Sequence, residues 1–446
     1  MGALRIKTVA TSIPVVLGAA AVGTLLTQQT PKALALVGLC VLGAVVAVSF
    51  EAPIIVFGAL AGILALASEE LVDDRLLGLN GLVYGTSLHG ITIPLVLAAI
   101  LALALGVRDQ AGHRKWPGAP VTVLICFLAV ATVSAILVGP LRDSLLVVRP
   151  VFILLLAALG GYWTALTYSV DLPLKILVAA AGVAILPGLY NSISTGGLSY
   201  YDSSYIYLIG MAATLVLFRA VDIGVIRIPF VLLSALVVVL SFRRGAMLAV
   251  AVTLIITGLV ADRTGFHASV WLAAASALVI ELVAPGLVYP HLVKLVTYFT
   301  GSTGQDPNVT YRKYETANAW LNVKRHWLWG IGPTTDWIVY RTFDGKFKAL
   351  GPDYLHNSYL WVWLRYSLAG LILFVTFLVT PAIVLIRRSA PIVCVAVGAS
   401  MLGLGVELVT ASSLTTTTRW PLTVGLFLGI ALAALQLSRA PDGRHQ

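Results

Sequence analysis

Apolar residues occur along this chain in long blocks, without the short alternation that is typical of soluble proteins. Most blocks are about 17–22 residues long, the length that a helix needs to cross a bilayer. The fourteen candidate blocks lie near residues 9–26, 32–49, 53–68, 88–106, 120–138, 146–168, 173–190, 201–218, 227–242, 244–260, 268–288, 367–386, 391–411 and 419–438. Two or three of the shorter blocks are also compatible with re-entrant or interfacial segments. Because helices satisfy their own backbone in lipid, the pattern predicts an all-α polytopic membrane protein with about 12–14 transmembrane helices.

One long polar segment interrupts this series, over residues 289–355. It contains eight Lys or Arg, five Asp or Glu and thirteen aromatic residues. Loops of this length are usually functional or disordered, and the aromatic content argues against disorder. We therefore expect the segment to carry function.

The distribution of basic residues predicts which side of the membrane each loop faces. With the N-terminus in the cytoplasm, thirteen Lys or Arg fall in cytoplasmic loops and seven at the short outer loops and span ends. The positive-inside rule then places both termini in the cytoplasm and the long loop outside. We divide the chain into N-terminal transmembrane helices (1–200), transmembrane helices with an arginine turn (201–288), an extracytoplasmic loop with an interfacial helix (289–366), and C-terminal transmembrane helices with a short cytoplasmic tail (367–446).

Composition narrows the function classes. The chain is 59% hydrophobic and 11% charged, and its net charge is +10. The basic residues are scattered, without the dense runs of nucleic-acid-binding proteins, so we predict lipid headgroups or a phosphate-bearing substrate as partners and no nucleic acid. The three cysteines lie in apolar segments and read as small buried hydrophobic residues. No spacing typical of a metal site occurs, and we predict neither metal nor cofactor.

The segment that follows the long loop predicts a short helix at the membrane surface. If a helix entered lipid at His356, Arg365 would lie about 13 Å deep, which is unfavourable. Residues 367–386 are long enough to cross the membrane alone. We therefore expect an interfacial helix over 356–366, anchored by Trp361 and Trp363, with His356 at the outer surface.

Several residues on the predicted outer side could carry chemistry. An imidazole such as His356 can accept a proton at about neutral pH. Arginine pairs can clamp a phosphate group, and lysine adds point charge. The candidate cations are Arg243 and Arg244 in a tight turn between two spans, Arg312 and Lys313, and Lys324 and Arg325. Gly330 and Gly332 form a turn that could bring the backbone close to a ligand or serve as a plain turn. Each feature taken alone is equally compatible with a structural role.

Three short sequences in the C-terminal half carry a family resemblance. The turn at residues 241–245, Ser-Phe-Arg-Arg-Gly, is similar to a Ser-Arg-Gly turn between two spans. Arg312, Trp320 and the run at residues 327–333 resemble an arginine, a tryptophan and a Gly-x-Gly motif. Residues 356–360, His-Asn-Ser-Tyr-Leu, resemble a His-Asn-x-Tyr-Leu block. In this order, over roughly residues 200–380, they resemble the O-antigen ligase and O-antigen polymerase superfamily.

The resemblance implies a metal-independent, inverting glycosyltransferase embedded in the membrane. Its donor would be a glycan on a polyprenyl diphosphate such as undecaprenyl diphosphate. Arg244 and Arg312 would hold the diphosphate, and His356 would activate or position the acceptor hydroxyl. The adjacent Arg243 leaves open which arginine of the turn acts. The expected contacts to diphosphate or glycan come from Arg243, Lys313, Lys324, Arg325, Asn357, Tyr359 and Trp320.

The resemblance also implies a location and partners. We expect a bacterial plasma-membrane protein whose active site faces outward and whose partners are the lipid-linked glycan donor, a glycan or glycolipid acceptor and the bilayer. Ligase and polymerase activities remain open alternatives. A membrane transporter or a flippase for lipid-linked glycans is the competing interpretation, and a non-catalytic scaffold or receptor is a third. A transporter would place its polar site at the midplane, whereas this sequence gathers polar residues on one side.

Overall fold

The protein is an all-α membrane protein, as the hydrophobic pattern predicts. A computed structural model describes residues 45, 48, 50–66, 92–109, 116–138, 141–194, 203–241, 243–261, 267, 293, 307–333, 335, 337–339, 348–350, 355–409 and 419–439. Over these residues the chain forms twelve α-helices and one short β-hairpin. The predicted spans 9–26 and 268–288 and nearly all of 32–49 lie outside the described residues.

The twelve described helices follow one another along the chain. In chain order they are α1 (Pro53–Leu66), α2 (Ile93–Asp109), α3 (Ala119–Val138), α4 (Leu141–Tyr168), α5 (Asp171–Ser194), α6 (Ser203–Leu217), α7 (Arg227–Leu240), α8 (Arg244–Ala261), α9 (Pro307–Arg325), α10 (Ser358–Leu385), α11 (Ile392–Glu407) and α12 (Arg419–Ser438). Strands β1 (Trp337–Val339) and β2 (Lys348–Leu350) pair antiparallel, with Trp337 opposite Leu350.

Four of the described helices are long and apolar enough to cross a membrane. They are the apolar parts of α3, α4, α10 and α12. Six further apolar helices are shorter, with 10–17 residues. Cys394 is buried among them, but Cys126 is exposed on α3, so the expectation that every cysteine is buried was wrong for this residue. Cys40 lies outside the described residues.

Glycine brings α4 and α12 into backbone contact. A Cβ atom at Gly425 would lie 2.6 Å from the carbonyl oxygen of Leu154, and one at Gly429 would overlap that of Ala158. A Cβ atom added at Gly161 of α4 would likewise lie 2.7 Å from the carbonyl oxygen of Leu426. Small residues at such crossings let membrane helices pack closely, since lipid supplies little hydrophobic driving force between them.

Helix α10 is two helices joined at a break. Tyr366 (φ −121°, ψ 16°) and Ser367 (φ 75°, ψ 175°) are not helical. Ser367 Oγ accepts a hydrogen bond from the N–H of Gly370 at 3.4 Å, the position that a helix N-cap uses. The break lies where the sequence divides a predicted interfacial helix from a predicted span.

One tryptophan of the segment before the break is more buried than the sequence suggests. Trp361 is only 5% exposed, and its ring packs against Tyr366 at 5.4 Å, so the expectation that it anchors the protein at the membrane surface was wrong. Trp363 is half-buried and donates its indole N–H to the carbonyl oxygen of Trp327 at 2.6 Å. Neighbouring elements therefore cover this segment, and protein packing takes the place of lipid contact.

Candidate active site

A buried carboxylate holds His356 in a defined orientation. Oε2 of Glu315 lies 2.8 Å from His356 Nδ1 and 3.2 Å from the backbone nitrogen of His356. The side chain of Glu315 is 1% exposed and that of His356 is 19% exposed. An ionised carboxylate can only accept hydrogen bonds, so Nδ1 carries the ring proton toward Glu315, and Nε2 holds the lone pair when the ring is neutral.

Helix α9 brings Glu315 to this position. Glu315, Asn318 and Asn322 follow at helical spacing on its buried face, and Pro307 occupies the first helical position, where proline is favoured. One turn before Glu315, the ring of Tyr311 meets the His356 ring edge-on, with centroids 6.4 Å apart. Glu315 and Tyr311 thus contact the histidine from two successive turns of one helix.

The second oxygen of Glu315 makes the pair sensitive to charge. Oε1 of Glu315 is buried and has no hydrogen-bond partner in the described part of the chain. A buried carboxylate that is only partly hydrogen-bonded is stabilised strongly by a nearby positive charge. A positive charge on the His356 ring would lie directly against this carboxylate.

The residues after His356 fix the start of α10. Asn357 is the N-cap, and its Oδ1 accepts from the N–H of Leu360 at 3.1 Å. The N–H of Ser358 donates to the carbonyl oxygen of Leu408 at 2.9 Å. The hydroxyl of Tyr359 donates to the carbonyl oxygen of Gly405 at 2.6 Å. Asn357 and Tyr359 thus position the helix, and their use as substrate ligands stays a prediction.

The glycine turn after α9 approaches α10, and no ligand is needed to explain it. Gly330 has a φ of +69°, and a Cβ there would lie 2.9 Å from the carbonyl oxygen of Trp363. The N–H of Ile331 donates to the carbonyl oxygen of Leu364 at 2.7 Å. Arg365 is 2% exposed and donates to the carbonyl oxygens of Gly332, at 2.9 Å, and Thr335. Backbone carbonyl oxygens therefore solvate its charge inside the protein.

The cations of α9 fall into two groups. Arg312 and Lys313 are exposed in the N-terminal half of α9, within one turn of Glu315, and Arg312 has no ion-pair or hydrogen-bond partner within the described residues. Lys324 and Arg325 are about 18 Å further along the axis, at about 1.5 Å per residue. Lys324 lies 5.9 Å above the ring of Trp320. A single diphosphate beside His356 is thus within reach of the first group and distant from the second.

The arginine turn lies at the same end of the helix bundle as His356. Short connections make α6, α7 and α8 successive antiparallel neighbours. Gly403 of α11 packs against the backbone of Ala249 in α8. Arg244 on α8 and Leu408 after α11 each lie five residues from this contact, toward the end of the bundle that carries His356. Five residues correspond to about 7.5 Å at about 1.5 Å per residue.

The carbonyl oxygen of Leu408 accepts the hydrogen bond from Ser358 at the start of α10. Arg244 and His356 therefore lie at about the same height along the helix bundle. The backbone N–H of Arg243 donates to Ser241 Oγ at 3.3 Å and its side chain is partly buried. Arg244 begins α8, and its side chain lies outside the described part of the structure. The choice between the two arginines stays open.

Further charged side chains are buried at this end. Arg419 is 2% exposed, donates to the hydroxyl of Tyr205 at 2.9 Å, and places its guanidinium 3.6 Å from the centre of that ring. Glu407 is 1% exposed at the end of α11. The hydroxyls of Tyr207 and Ser400 bond to each other at 2.7 Å between α6 and α11. These contacts join the ends of α6, α11 and α12 around the level of the arginine turn.

Glu315 is the functional candidate that the sequence did not single out. It is 41 positions from His356, so no local spacing relates the two residues. One signal was present: Glu315 is the only acidic residue of α9, in a helix with four cations.

Comparison with known proteins places this region in a family. Residues 229–375 match a family model described as O-Antigen ligase. No curated protein matches the chain. The matched region runs from α7 into α10 and includes the arginine turn, Arg312, Glu315 and His356. It confirms the resemblance of this region to the O-antigen ligase superfamily.

Proposed function

We propose that the protein is a metal-independent, inverting glycosyltransferase of the bacterial plasma membrane. It moves a glycan from a polyprenyl-diphosphate donor to a hydroxyl acceptor on the extracytoplasmic face. The observation that carries this proposal is the bond between His356 and the buried Glu315, one helical turn from the exposed Arg312. The buried carboxylate and the neighbouring exposed cation fit a histidine that accepts a proton beside a negatively charged substrate.

In the proposed reaction, His356 is the general base. The acceptor hydroxyl gives its proton to Nε2 while its oxygen forms a bond to the anomeric carbon of the donor sugar. The bond between that carbon and the diphosphate oxygen breaks, and polyprenyl diphosphate leaves with the electron pair. A single displacement of this kind inverts the anomeric configuration. Base catalysis of this type contributes about 10²–10⁴-fold to a rate.

Glu315 positions the base and balances its charge. Its bond to Nδ1 sets the tautomer in which Nε2 can accept a proton. When the proton arrives, the imidazolium lies against a carboxylate that is already buried and oriented, so little reorganisation is required. Glu315 is therefore a positioning residue, and it does not touch the substrate.

The leaving group requires positive charge. As the glycosidic bond breaks, negative charge grows on the diphosphate oxygens, and fixed guanidinium groups stabilise it. Arg312 is suited to this because it is exposed and lies one turn from Glu315. Arg243 or Arg244 adds a second cation from the same end of the bundle.

A transfer assay with matched histidine variants tests the proposal. The purified protein in lipid vesicles is incubated with a polyprenyl-diphosphate-linked glycan and candidate acceptors, with and without chelator. We expect chelator-resistant transfer by the wild type, loss of transfer in His356→Ala, and activity in His326→Ala, which changes an exposed histidine just after α9. Equal transfer by His356→Ala, or movement of the lipid across the bilayer without transfer, would contradict the proposal.

A further inference from the structure

The turn that follows α9 exposes large apolar side chains. Trp327, Leu328 and Trp329 are 54%, 42% and 78% exposed. We call these three residues the Trp turn. Trp320 and Leu321, in the last turns of α9, are 41% and 43% exposed and extend the same surface. A contiguous apolar surface with charged residues at its rim marks an interaction site.

Backbone hydrogen bonds fix the level of the Trp turn relative to α10. The N–H of Leu368 donates to the carbonyl oxygen of Leu328 at 3.2 Å. Leu368 follows the break at Tyr366 and Ser367, and its N–H is one of the first-turn donors that a helix leaves unbonded. The Trp turn therefore lies at the start of the second segment of α10.

That second segment has the length of a membrane crossing. Residues 368–385 span about 27 Å at about 1.5 Å per residue, close to the roughly 30 Å of a hydrocarbon core. Ile372, Val375, Val379 and Ile383 are exposed along it at helical spacing. A stripe of this length and composition fits the lipid-facing side of a span, and the end of that span, where the Trp turn is attached, would then lie at the membrane surface.

The chemistry of the surface matches the headgroup zone. Tryptophan is enriched there because its ring is apolar and its indole N–H is polar. Lys324 and Arg325 precede the turn and can reach phosphate groups while their stems cover apolar surface. In water, the apolar ring of Trp329 would stay mostly solvated, which is unfavourable. Burial of the ring among lipid headgroups removes this cost.

We propose that the Trp turn inserts into the outer headgroup zone of the bilayer and anchors the C-terminal end of α9 to the membrane. The occupant of this surface is phospholipid. The anchor would fix the height of α9, the helix that carries Arg312 and Glu315, above the lipid surface. The membrane insertion stands on the geometry of α10 alone, without the proposed enzymatic activity.

Site-directed labelling measures the depth of the Trp turn directly. Cys40, Cys126 and Cys394 are replaced by alanine, and a nitrobenzoxadiazole label is attached at Trp329→Cys. The protein is reconstituted in vesicles of phosphatidylethanolamine and phosphatidylglycerol. Quenching is measured with aqueous iodide and with lipids that carry a nitroxide at a shallow or a deep position of the acyl chain.

Two further labels calibrate the measurement. Val379→Cys lies on the exposed stripe about 16 Å below Leu368, at about 1.5 Å per residue, and reports the deep hydrocarbon. Lys313→Cys is exposed at the other end of α9 and reports water. Leu321→Cys provides a second position on the proposed surface, should Trp329→Cys fold poorly.

We expect the labels at residues 329 and 321 to lose iodide quenching relative to residue 313, to shift their emission to the blue, and to be quenched most by the shallow nitroxide. Quenching by iodide equal to that at residue 313, with none by either lipid, would overturn the proposal. Protection from iodide that appears only when a glycan acceptor is added would also overturn it, because the surface would then bind sugar.

Discussion

In the proposed reaction, the chemistry of His356 depends on a carboxylate that is almost fully buried. Glu315 is 4% exposed, and it bonds both the ring and the backbone of His356. The backbone bond holds the residue, and the ring bond sets the tautomer. A change at Glu315 should therefore alter the chemical step more than it alters substrate binding.

Glu315→Gln tests this separation. The amide can keep a hydrogen bond to Nδ1 but cannot balance the charge of the imidazolium. We expect kcat to fall about 10²-fold, the lower end of what general base catalysis contributes, while KM for the donor changes little. Steady-state kinetics over a range of donor concentration provide the measurement. A rise in KM with kcat preserved would assign Glu315 to binding.

Arg312→Ala tests the cation beside this pair. We expect kcat/KM to fall about 10²–10³-fold, as when one donor to a developing negative charge is removed. Thermal unfolding should stay unchanged, because Arg312 is exposed and has no ion-pair partner within the described residues. Lys175→Ala is the control, since it removes an exposed cation paired with Asp171 far from the site. Equal losses in both variants would exclude a specific role for Arg312.

Arg365 has a structural task that is separate from catalysis. Replacing it with methionine would leave the buried carbonyl oxygen of Gly332 without this donor and would remove the bond to the carbonyl oxygen of Thr335, an exposed residue. Each unsatisfied buried group costs about 1–3 kcal/mol. We expect Arg365→Met to lower the unfolding temperature and to speed amide exchange at Gly330 and Ile331. Unchanged exchange there would mean that the turn is held by its other contacts.

At the scale of elements, two features of α10 differ in how far the sequence reveals them. The break at Tyr366 and Ser367 was predictable, because Arg365 could not be placed in lipid and the following residues already suffice for a span. The burial of Trp361 was not predictable from the sequence, because it depends on the packing of its ring against Tyr366. Length and charge are properties of the sequence, whereas the neighbours of a side chain depend on the whole fold.

The contact between α4 and α12 depends on glycine. We expect Gly429→Ala to lower the unfolding temperature, because the new Cβ would overlap the carbonyl oxygen of Ala158, and overpacking typically costs about 1–3 kcal/mol. Gly62→Ala in α1 is the matched control, since no atom lies within 4 Å of its added Cβ. Thermal unfolding in detergent compares them, and equal melting of the two variants would refute close packing at Gly429.

At the scale of the whole molecule, one end of the helix bundle gathers the candidate chemistry. The start of α8 and the start of α10 reach the same level through α11, although they are far apart in sequence. The order of the motifs in the sequence predicted the set of residues Arg244, Arg312 and His356. It could not reveal Glu315, because the meeting of α9 with α10 is a property of tertiary structure.

The same molecular arrangement is compatible with the proposed lipid-linked substrate. The proposed reacting groups lie beside helices that expose apolar faces to lipid, and the Trp turn offers a second contact at the surface. In the proposed reaction, a polyprenyl chain would remain in the bilayer while its diphosphate extends toward Arg312. Specificity for sugar and acceptor would then reside in the residues around His356.

The most direct test of the account follows the anomeric carbon of the transferred sugar. A donor of known configuration is converted by the purified protein with chelator present, and the new linkage is assigned by nuclear magnetic resonance. The account predicts a product of opposite configuration, formed by the wild type and absent with His356→Ala. A product of retained configuration, or the same yield from His356→Ala, would contradict direct displacement assisted by this histidine.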